Sequence, residues 1–466
     1  MRVPEIGGAR DALLPHASVN TCLAEVKVRG PEGRSSILEA SANFVNIVVG
    51  AGIVGLPYVL VQAGFWTALV ELIMCCVLTH YSVRMLIDVG IAQRIYSYED
   101  LCEHALGRAG KVIVSFALLA FDYGAMLSYE IILADASSAV AYELWGYRDG
   151  GQPYWVRPTC LVVLSTLLIL PSCLYRDMSH LEKLSAVSIF TVVVITAIVL
   201  WKYVANEPRY AAERITALWP TKNINVNDNA VAALRRQHTA SVVGPNVFKS
   251  FSIIAFSFVC HDSAFMIFNT LRHPTSARWG AVSALSLSSA LVVCCLLAVP
   301  GYLTFGAKTE ANLLNNYDIS DGVVIFMRCI YVLTMAFTYP LTFFVARHIV
   351  NVWAFAGPRY QTVQRMPRRR HFALTFGLFF SALCIALFVQ DLGDVMSLAG
   401  SFGAVVLAFV LPPLCKLRLE RSRGHSVCFW QDPRPIESAR ATLPCIGFIV
   451  FGAVAIAGSV AQVINL

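Results

Sequence analysis

The chain has 466 residues and a net charge of +7, and 57% of its residues are hydrophobic while only 14% are charged. Soluble domains carry about 25% charged residues, and the mean hydropathy of this chain is +0.63. The composition therefore excludes an ordinary soluble protein and predicts a polytopic membrane protein with a single transmembrane unit.

Apolar runs long enough to cross a bilayer recur along the chain. A hydrocarbon core about 30 Å thick requires roughly 20 apolar residues in a helix. Eleven runs meet this length, at about 37–64, 66–89, 111–141, 157–175, 181–203, 246–271, 279–305, 322–353, 372–389, 392–415 and 442–464. Residues 1–36 are predicted to form a mobile cytosolic tail. Residues 37–466 are predicted to form the transmembrane domain, with a long external loop at about 204–245 between helices five and six.

Basic residues indicate the orientation of the chain. Lys and Arg concentrate in the amino-terminal tail and in the even-numbered connections, as in "RMPRRR" (365–370) and "KLRLERSR" (416–423). Short connections rich in basic residues stay in the cytosol. We therefore predict a cytosolic amino terminus and, after eleven crossings, an external or luminal carboxyl terminus. The positive net charge then reflects topology rather than nucleic-acid binding.

Sequence motifs of enzymes and of metal centres are absent. The chain contains no GxSxG, Walker loop or HExxH, and its fourteen cysteines lie mostly in apolar runs without CxxC or Cys/His spacing. Cys in such runs behaves as a small hydrophobic residue. The sequence predicts neither an enzyme, nor a cofactor, nor a zinc site or disulfide framework.

The glycine-rich stretch "NIVVGAGIVGLPY" (46–58) interrupts the first apolar run. Small residues at this spacing allow close packing between membrane helices. They also permit a helix to break at mid-membrane, where free backbone groups can bind a substrate and an ion. The sixth run carries a second interruption, "AFSFVCHD", at a similar depth, and paired interruptions favour the broken helices of an inverted-repeat transporter.

Charged residues within apolar runs are candidate site residues, because a charge at a helix centre costs about 2.5–3.5 kcal/mol. The third run contains Asp122, Glu130 and Asp135, and the sixth contains His261 and Asp262. Asp122 and Asp262 are expected near mid-membrane. Asp135 is expected at the outer end of its helix, in contact with solvent. For His261 the sequence leaves a packing role and a functional role equally open.

Several segments together resemble sodium-coupled neutral amino acid transporters of the amino acid/auxin permease group. They are "SANFVNIVVGAGIVGLPYVLVQAGF" in the first helix, "LYRDMSHLEKLSAVS" before the fifth, "FSFVCHDSAF", "LRHPT" and "GYLTFG" in and after the sixth, and "TYPLTFFVARHIV" in the eighth. The resemblance extends over about residues 37–464. It implies an all-α fold of eleven transmembrane helices, in which a five-plus-five inverted repeat like that of the bacterial leucine transporter is followed by one carboxyl-terminal helix.

The resemblance also implies site residues. The family's sodium-site asparagine falls on Asn46 and its helix-eight threonine on Thr338, and their oxygen atoms suit a hard cation. Taken alone, Thr338 would be a membrane threonine bonded to the carbonyl four residues back. The α-carboxylate and α-amino groups of the substrate are expected to meet the two breaks, at Val49, Gly50, Ala51, Gly52, Ser257 and Phe258.

Asp122, Glu130 and Asp262 depart from the family pattern, whereas Asp135 resembles a Gly-Asp pair found in several members. One hypothesis is that Asp122 and Asp262, beside His261, favour a cationic amino acid. The other is that they bind a proton in place of sodium, because burial favours the neutral form of a carboxyl group.

The function predicted from the sequence is ion-coupled symport of small amino acids by alternating access, with sodium favoured and a proton possible as the coupling ion. Helices one, two, six and seven are expected to rock against helices three, four, eight and nine. The alternatives are an amino acid sensor or signalling platform, and a proton-coupled vacuolar or lysosomal exporter. The expected partners are the amino acid and membrane lipid, not nucleic acid, and the protein is expected to be a monomer. The sequence leaves open whether the plasma membrane or the vacuolar or lysosomal membrane holds it.

Overall fold

The computed structural model describes residues 35–147, 153–176, 185–205, 244–355, 366–426 and 435–464. Within these ranges the regular structure is helical, and one isolated bridge pairs Ser35 with Leu271. Most of the predicted tail and of the predicted long loop lies outside the described residues. The last two residues of the predicted tail are ordered, because Ser35 forms this bridge and Ser36 caps the first helix.

The helices follow one another in chain order. They are α1 (Ile37–Val48), α2 (Leu56–Ala63), α3 (Phe65–Gln93), α4 (Tyr98–Leu144), α5 (Val156–Cys173), α6 (Ser185–Val204), α7 (Val247–Phe258), α8 (His261–Thr270), α9 (Ser276–Phe305), α10 (Gly322–Phe355), α11 (Arg368–Phe388), α12 (Leu392–Ala399), α13 (Leu411–Ser426) and α14 (Pro435–Ile464). Two π-helical turns, Gly400–Ala404 and Val406–Val410, join α12 to α13.

The described helices confirm the predicted class of protein. Nine helical segments are long and apolar enough to cross a membrane, and α1 with α2, bent by 54°, makes a tenth. The fifth predicted run coincides with α6, whose apolar part, Ser188–Val204, is shorter than a full span. The count of eleven crossings therefore stays a prediction, while the all-helical membrane fold is established for the described part of the chain.

Helix α4 begins well before the apolar run that predicted it. It has 47 residues, which at 1.5 Å per residue makes it far longer than a bilayer core. Gly107 divides it with a left-handed φ of 70°, a conformation that glycine adopts without steric cost. The segment before Gly107 is therefore set apart from the apolar part that contains Asp122.

Burial separates the central helices from the outer ones. In the segment Val247–Thr270, which comprises α7 and α8, 89% of the most apolar window is buried in the protein. The corresponding share is 22% for Leu443–Gln462 in α14. Helix α3 lies between these extremes and exposes large side chains at positions three or four residues apart, namely Trp66, Val70, Ile73, Val77 and Tyr81. That spacing places them on one helical face, which suits contact with lipid.

Small residues bring the α12–α13 segment against the centre of the bundle. A Cβ atom added to Gly400 would overlap the backbone of Ser252 in α7. Added at Gly403, it would lie 2.7 Å from the backbone nitrogen of Phe121 in α4. Close approach of this kind is how membrane helices pack in the absence of a hydrophobic driving force. The central helices α4 and α7 are thereby both held against one neighbour.

Candidate functional site

The first predicted break is present between α1 and α2. Helix α1 ends at Val48, Val49 has non-helical dihedral angles, and a 3₁₀ turn runs over Ala51–Gly55 before α2 begins. Gly50 has φ −97° and ψ −148°, so the chain is extended at this point. The glycines that the sequence singled out therefore lie at the interruption itself.

The second break separates α7 from α8. Helix α7 ends at Phe258, Val259 is extended with φ −67° and ψ 132°, and Cys260 precedes the first residue of α8. Ser257 and Phe258, which the resemblance assigned to the substrate, are the last helical residues before this break. The non-helical residues Val259 and Cys260 were not among the predicted site residues.

The two breaks touch each other at Gly52 and Ser257. A Cβ atom added to Gly52 would lie 2.9 Å from the Cβ of Ser257 and 3.0 Å from its Cα, with Oγ closer still. These separations are too short for a real side chain, so only glycine fits here. The structure thus brings together two of the six predicted substrate residues from positions 205 residues apart.

Hydrogen bonds tie the two broken helices together at both ends. Where α2 ends and α7 begins, the Gly244 and Asn246 amides donate to the carbonyls of Ala63 and Gln62, at 2.6 and 3.1 Å. We call this the α2–α7 end. At the opposite, α1–α8 end, the Ser35 amide donates to Thr270 O, and the amide of Arg272 donates to Ser35 O, both at 3.0 Å. Helices α1, α2, α7 and α8 therefore form one connected unit.

An ion pair links this unit to α12 at the α2–α7 end. Lys249 Nζ lies 2.6 Å from Asp394 Oδ1, and the Lys249 side chain is only 5% exposed. The ammonium group also lies 5.8 Å from the centre of the Tyr58 ring in α2, a separation that allows a cation–π interaction. The sequence did not predict this pair, because its members are 145 residues apart.

A cavity of about 340 Å³ opens at the same end. Tyr58, Asp135, Asn312 and Asp391 are among its lining residues. Asp135 was expected to contact solvent, but its side chain is 11% exposed and pairs with Arg157 Nε at 2.9 Å. It also accepts hydrogen bonds from Asn312 and Asn315, each at 3.2 Å. Asp135 is therefore less exposed than expected, and its carboxylate fastens the α9–α10 connection to α4 and α5.

The predicted sodium ligands lie on two different helices. Asn46 is half-buried, three residues before the non-helical Val49. Thr338 is half-buried in α10, and its hydroxyl donates to the carbonyl of Thr334 at 2.8 Å. This is the intrahelical bond that a membrane threonine ordinarily makes. The hydroxyl oxygen keeps its lone pairs, so the bond leaves Thr338 able to ligate a cation.

The predicted acidic residues occupy unequal surroundings. Glu130 is fully buried and accepts a hydrogen bond from the Tyr339 hydroxyl at 3.0 Å. Asp262 accepts a hydrogen bond from Ser263 Oγ at 2.8 Å. Asp122 itself is 3% exposed, and its Oδ2 has no hydrogen-bond partner among the described residues. Glu130 Oε2 likewise has no hydrogen-bond partner among the described residues, so Asp122 and Glu130 are each incompletely satisfied.

His261 has a structural partner. Its Nε2 lies 3.1 Å from Ser82 Oγ, and that hydroxyl donates to the carbonyl of Ala408. Because the hydroxyl has one hydrogen and gives it to Ala408, Nε2 must carry the proton that it donates to Ser82. The contact chain joins α8, α3 and the π-helical segment after α12. These bonds give His261 a packing contact, and a functional role for it stays a prediction.

Comparison with known proteins decides the family. The model of the family described as transmembrane amino acid transporter protein matches residues 33–465. The chain belongs to this family. The transporter is 32% identical to the rat protein named "Putative sodium-coupled neutral amino acid transporter 11", over 93% of this chain and 86% of that one. It is 24% identical to vacuolar amino acid transporter 2 of Saccharomyces cerevisiae, over 91% of this chain and 83% of the yeast protein.

A solved structure confirms the fold of the transporter. The crystal structure of MhsT in complex with L-phenylalanine matches with a TM-score of 0.54, and the match covers 93% of this chain and 99% of that one. The identity is 12%, so the likeness concerns the fold alone. It is the leucine-transporter fold that the resemblance implied.

Proposed function

We propose that the transporter moves small amino acids together with sodium, by alternating access around the contact between its two helix breaks. The observation that carries this proposal is the contact of Gly52 with Ser257, which places the interrupted backbone of both helices at one point. In transporters built on inverted repeats, discontinuous helices of this kind bind the substrate near mid-membrane. The membership of the chain in an amino acid transporter family supports the same conclusion.

The substrate would bind to backbone rather than to charged side chains. Helix α8 begins at His261 directly after the second break, and a helix amino terminus favours an anionic group such as the α-carboxylate. Val49, Gly50, Ala51 and Gly52 would meet the substrate from the first break, and Ser257 and Phe258 from the second. Val49 is 4% exposed and Phe258 is fully buried, so the space beside the breaks favours a small side chain.

Sodium would bind between α1 and α10. The amide oxygen of Asn46 and the hydroxyl oxygen of Thr338 are hard ligands, and the interrupted backbone near Val49 can add carbonyl oxygens. The relatives from rat, zebrafish and mouse are named as sodium-coupled transporters, which supports this choice of ion.

Alternating access requires the α2–α7 end to open and close. The tied helices α1, α2, α7 and α8 would move with α3 and α9 as one bundle against α4, α5, α10 and α11. The Lys249–Asp394 ion pair crosses from α7 to α12, so opening at this end would separate it. The positive-inside rule, applied to the basic connections, puts this end outside and the α1–α8 end in the cytosol.

The host membrane is either the plasma membrane or a vacuolar or lysosomal membrane. The name of the yeast relative, vacuolar amino acid transporter 2, favours the second. In that case the α2–α7 end would face the lumen of the organelle. Imaging of the tagged full-length transporter beside plasma-membrane and vacuolar markers distinguishes the two locations.

Thr338→Ala tests the sodium site. We expect the substitution to remove sodium stimulation of amino acid uptake into proteoliposomes, because one hydroxyl ligand is lost. The sodium concentration for half-maximal uptake should rise at least about tenfold, which corresponds to about 1.4 kcal/mol of binding free energy. Uptake of a panel of amino acids is measured with sodium and proton gradients imposed separately.

Thr342→Ala is the matched control for this experiment. Thr342 lies one turn further along α10, is also half-buried, and donates an intrahelical hydrogen bond to Tyr339 O at 3.0 Å. Its variant should keep the sodium response of the parent. Retained sodium stimulation in Thr338→Ala would rule out the proposed site, and equal loss in both variants would attribute the effect to α10 as a whole.

A further inference from the structure

The amino terminus of α7 is not capped by the residue that precedes it. The first N–H groups of a helix have no partner inside the helix, and the side chain of the preceding residue usually accepts a hydrogen bond from one of them. Asn246 holds that position in α7, but its side chain makes no such bond and its Nδ2 donates instead to Gln62 Oε1 at 2.7 Å. The first turn of α7, which contains Lys249, therefore needs a partner from another part of the chain.

Gln462, close to the carboxyl end of α14, provides this partner. Its Oε1 accepts a hydrogen bond from the Lys249 amide at 2.8 Å, and its Nε2 donates to the carbonyl of Pro245 at 3.2 Å. Lys249 is the third residue of α7, and the amide of the third residue is one of those that a capping side chain ordinarily binds. Gln462 therefore caps α7 from a helix that is 213 residues away in sequence.

The same face of α14 continues along α7 and reaches α12. A Cβ atom added to Gly458 would overlap the ring of Phe248, so the two helices are in close contact there. The next residue, Ser459, is 1% exposed and accepts a hydrogen bond from Ser252 Oγ of α7 at 3.0 Å. Its Oγ also lies 3.3 Å from Ser397 Oγ of α12. Helix α14 therefore binds the same two helices, α7 and α12, that the ion pair at this end joins.

The polar contacts of α14 are confined to this end, while most of the helix faces outward. Only 22% of its most apolar window, in Leu443–Gln462, is buried, compared with 78% for the window in Leu392–Glu420. Hydrogen bonds between helices are among the interactions that hold membrane helices together. A mostly exposed helix whose hydrogen bonds meet α7 and α12 beside their ion pair is placed to act on that end rather than on the core of the bundle.

We propose that Gln462 and Ser459 form a clasp that holds the α2–α7 end closed, with Gln462 as a positioning residue for Lys249. By capping α7, Gln462 fixes the first turn of that helix and so aims the Lys249 side chain at Asp394. Because α14 binds both α7 and α12, α7 cannot move away from α12 without breaking one set of these bonds. The clasp therefore sets the fraction of time for which this end is closed. This role rests on the proposed function, since it requires α7 to move during transport.

Gln462→Ala tests the clasp first by hydrogen exchange in the purified full-length transporter. The amides of residues 247–252, followed by mass spectrometry, should exchange about fivefold faster in the variant, because loss of a capping bond changes a helix equilibrium by about that factor. Peptides from other helices should exchange as in the parent protein. This measurement needs no transport, so it reports on the cap itself.

Uptake of labelled L-alanine by the same variant tests the effect on opening. The half-saturating concentration of L-alanine on the side of the α2–α7 end should fall by up to about fivefold, because the open, binding-competent state is more populated. The maximal rate should fall as well, since the return to the closed state is disfavoured. A general loss of folded protein would lower the maximal rate and leave the half-saturating concentration unchanged.

Two matched variants complete the experiment. Gln462→Glu keeps an oxygen atom that can accept from the Lys249 amide, and a negative charge suits a helix amino terminus, so exchange and half-saturation should stay close to those of the parent. Gln93→Ala removes a half-buried glutamine at the carboxyl end of α3 and should change neither quantity.

Unchanged exchange at the start of α7 in Gln462→Ala overturns the proposal, and so does faster exchange throughout the transporter. Equal effects of Gln462→Glu and Gln462→Ala also contradict it, because the carboxylate retains the cap. Faster exchange with an unchanged half-saturating concentration would show that the cap does not control opening, which likewise overturns it. If the parent protein takes up no amino acid, the proposed function fails, and the exchange result still decides whether Gln462 holds α7.

Discussion

Gly52→Ala is expected to abolish amino acid transport and to lower the thermal stability of the transporter in detergent. The added Cβ would lie 3.0 Å from the Cα of Ser257, an atom that cannot turn away as a flexible side chain would. Overpacking of a well-packed core costs about 1–3 kcal/mol. Here the strain falls on the contact between the two helix breaks, so we expect the effect on transport to exceed the effect on stability. Uptake into proteoliposomes and a thermal unfolding midpoint measure the two effects.

Two further variants separate this contact from a general intolerance of alanine. Gly377→Ala in α11 introduces the same methyl group where nothing lies within 4 Å; it should leave uptake unchanged and should not lower stability, since alanine favours a helix by about 0.5–1 kcal/mol over glycine. Adding Ser257→Gly to Gly52→Ala removes the Oγ and Cβ atoms from the overlap and should restore part of the lost stability. Normal transport by Gly52→Ala would show that the two breaks are not in contact in the working protein.

Asp394→Asn should destabilise the transporter more than Lys249→Met does. Loss of Asp394 leaves an ammonium group that is only 5% exposed without its carboxylate, whereas loss of Lys249 leaves a carboxylate that is 38% exposed and can be hydrated. Removing one partner of a fully buried pair costs about 3–5 kcal/mol, and exposed pairs are worth about 0–1 kcal/mol. For this half-exposed pair we expect a loss of about 2 kcal/mol in Asp394→Asn. Thermal or denaturant unfolding in detergent measures it.

Glu103→Gln is the control for charge removal. Glu103 pairs with Lys111 at the same distance of 2.6 Å, but both side chains are about one-third exposed, so its loss should change stability little. Equal destabilisation by Asp394→Asn and Lys249→Met would contradict the assignment of Lys249 as the buried member. If neither variant changes the transport rate, the ion pair does not control the opening of the α2–α7 end.

The fold and the position of the breaks were predictable because their signals are local. Runs of about 20 apolar residues identify membrane helices by length alone. The stretch "VVGAGIVG" marks the first break because its three glycines have no side chain. The second break was located less well. The chain leaves helical geometry at Val259 and Cys260, directly after the residues that were expected to contact the substrate. Neither residue has an intrinsic preference that would end a helix there.

The partners of the buried polar residues were not predictable. Asp135 was interpreted as solvated from its position near a helix end, but its asparagine partners lie 177 and 180 residues away. Lys249 and Asp394 are 145 residues apart, and His261 and Ser82 are 179 apart. Such pairs form only when the helices pack, and no spacing in a single sequence records which helix faces which. The resemblance to a family supplied roles for Asn46 and Thr338, which remain predictions.

Uphill accumulation of an amino acid tests the central claim most directly. Proteoliposomes of the purified transporter are prepared with no substrate inside and are given an inward sodium gradient. Labelled L-alanine, L-serine or L-glutamine is then added outside. We predict that the labelled amino acid accumulates inside to more than its external concentration. This accumulation should collapse when an ionophore dissipates the sodium gradient, and it should be absent in Gly52→Ala. Binding of labelled amino acid without accumulation, whatever sodium or proton gradient is imposed, would contradict transport and would indicate a sensor built on a transporter fold.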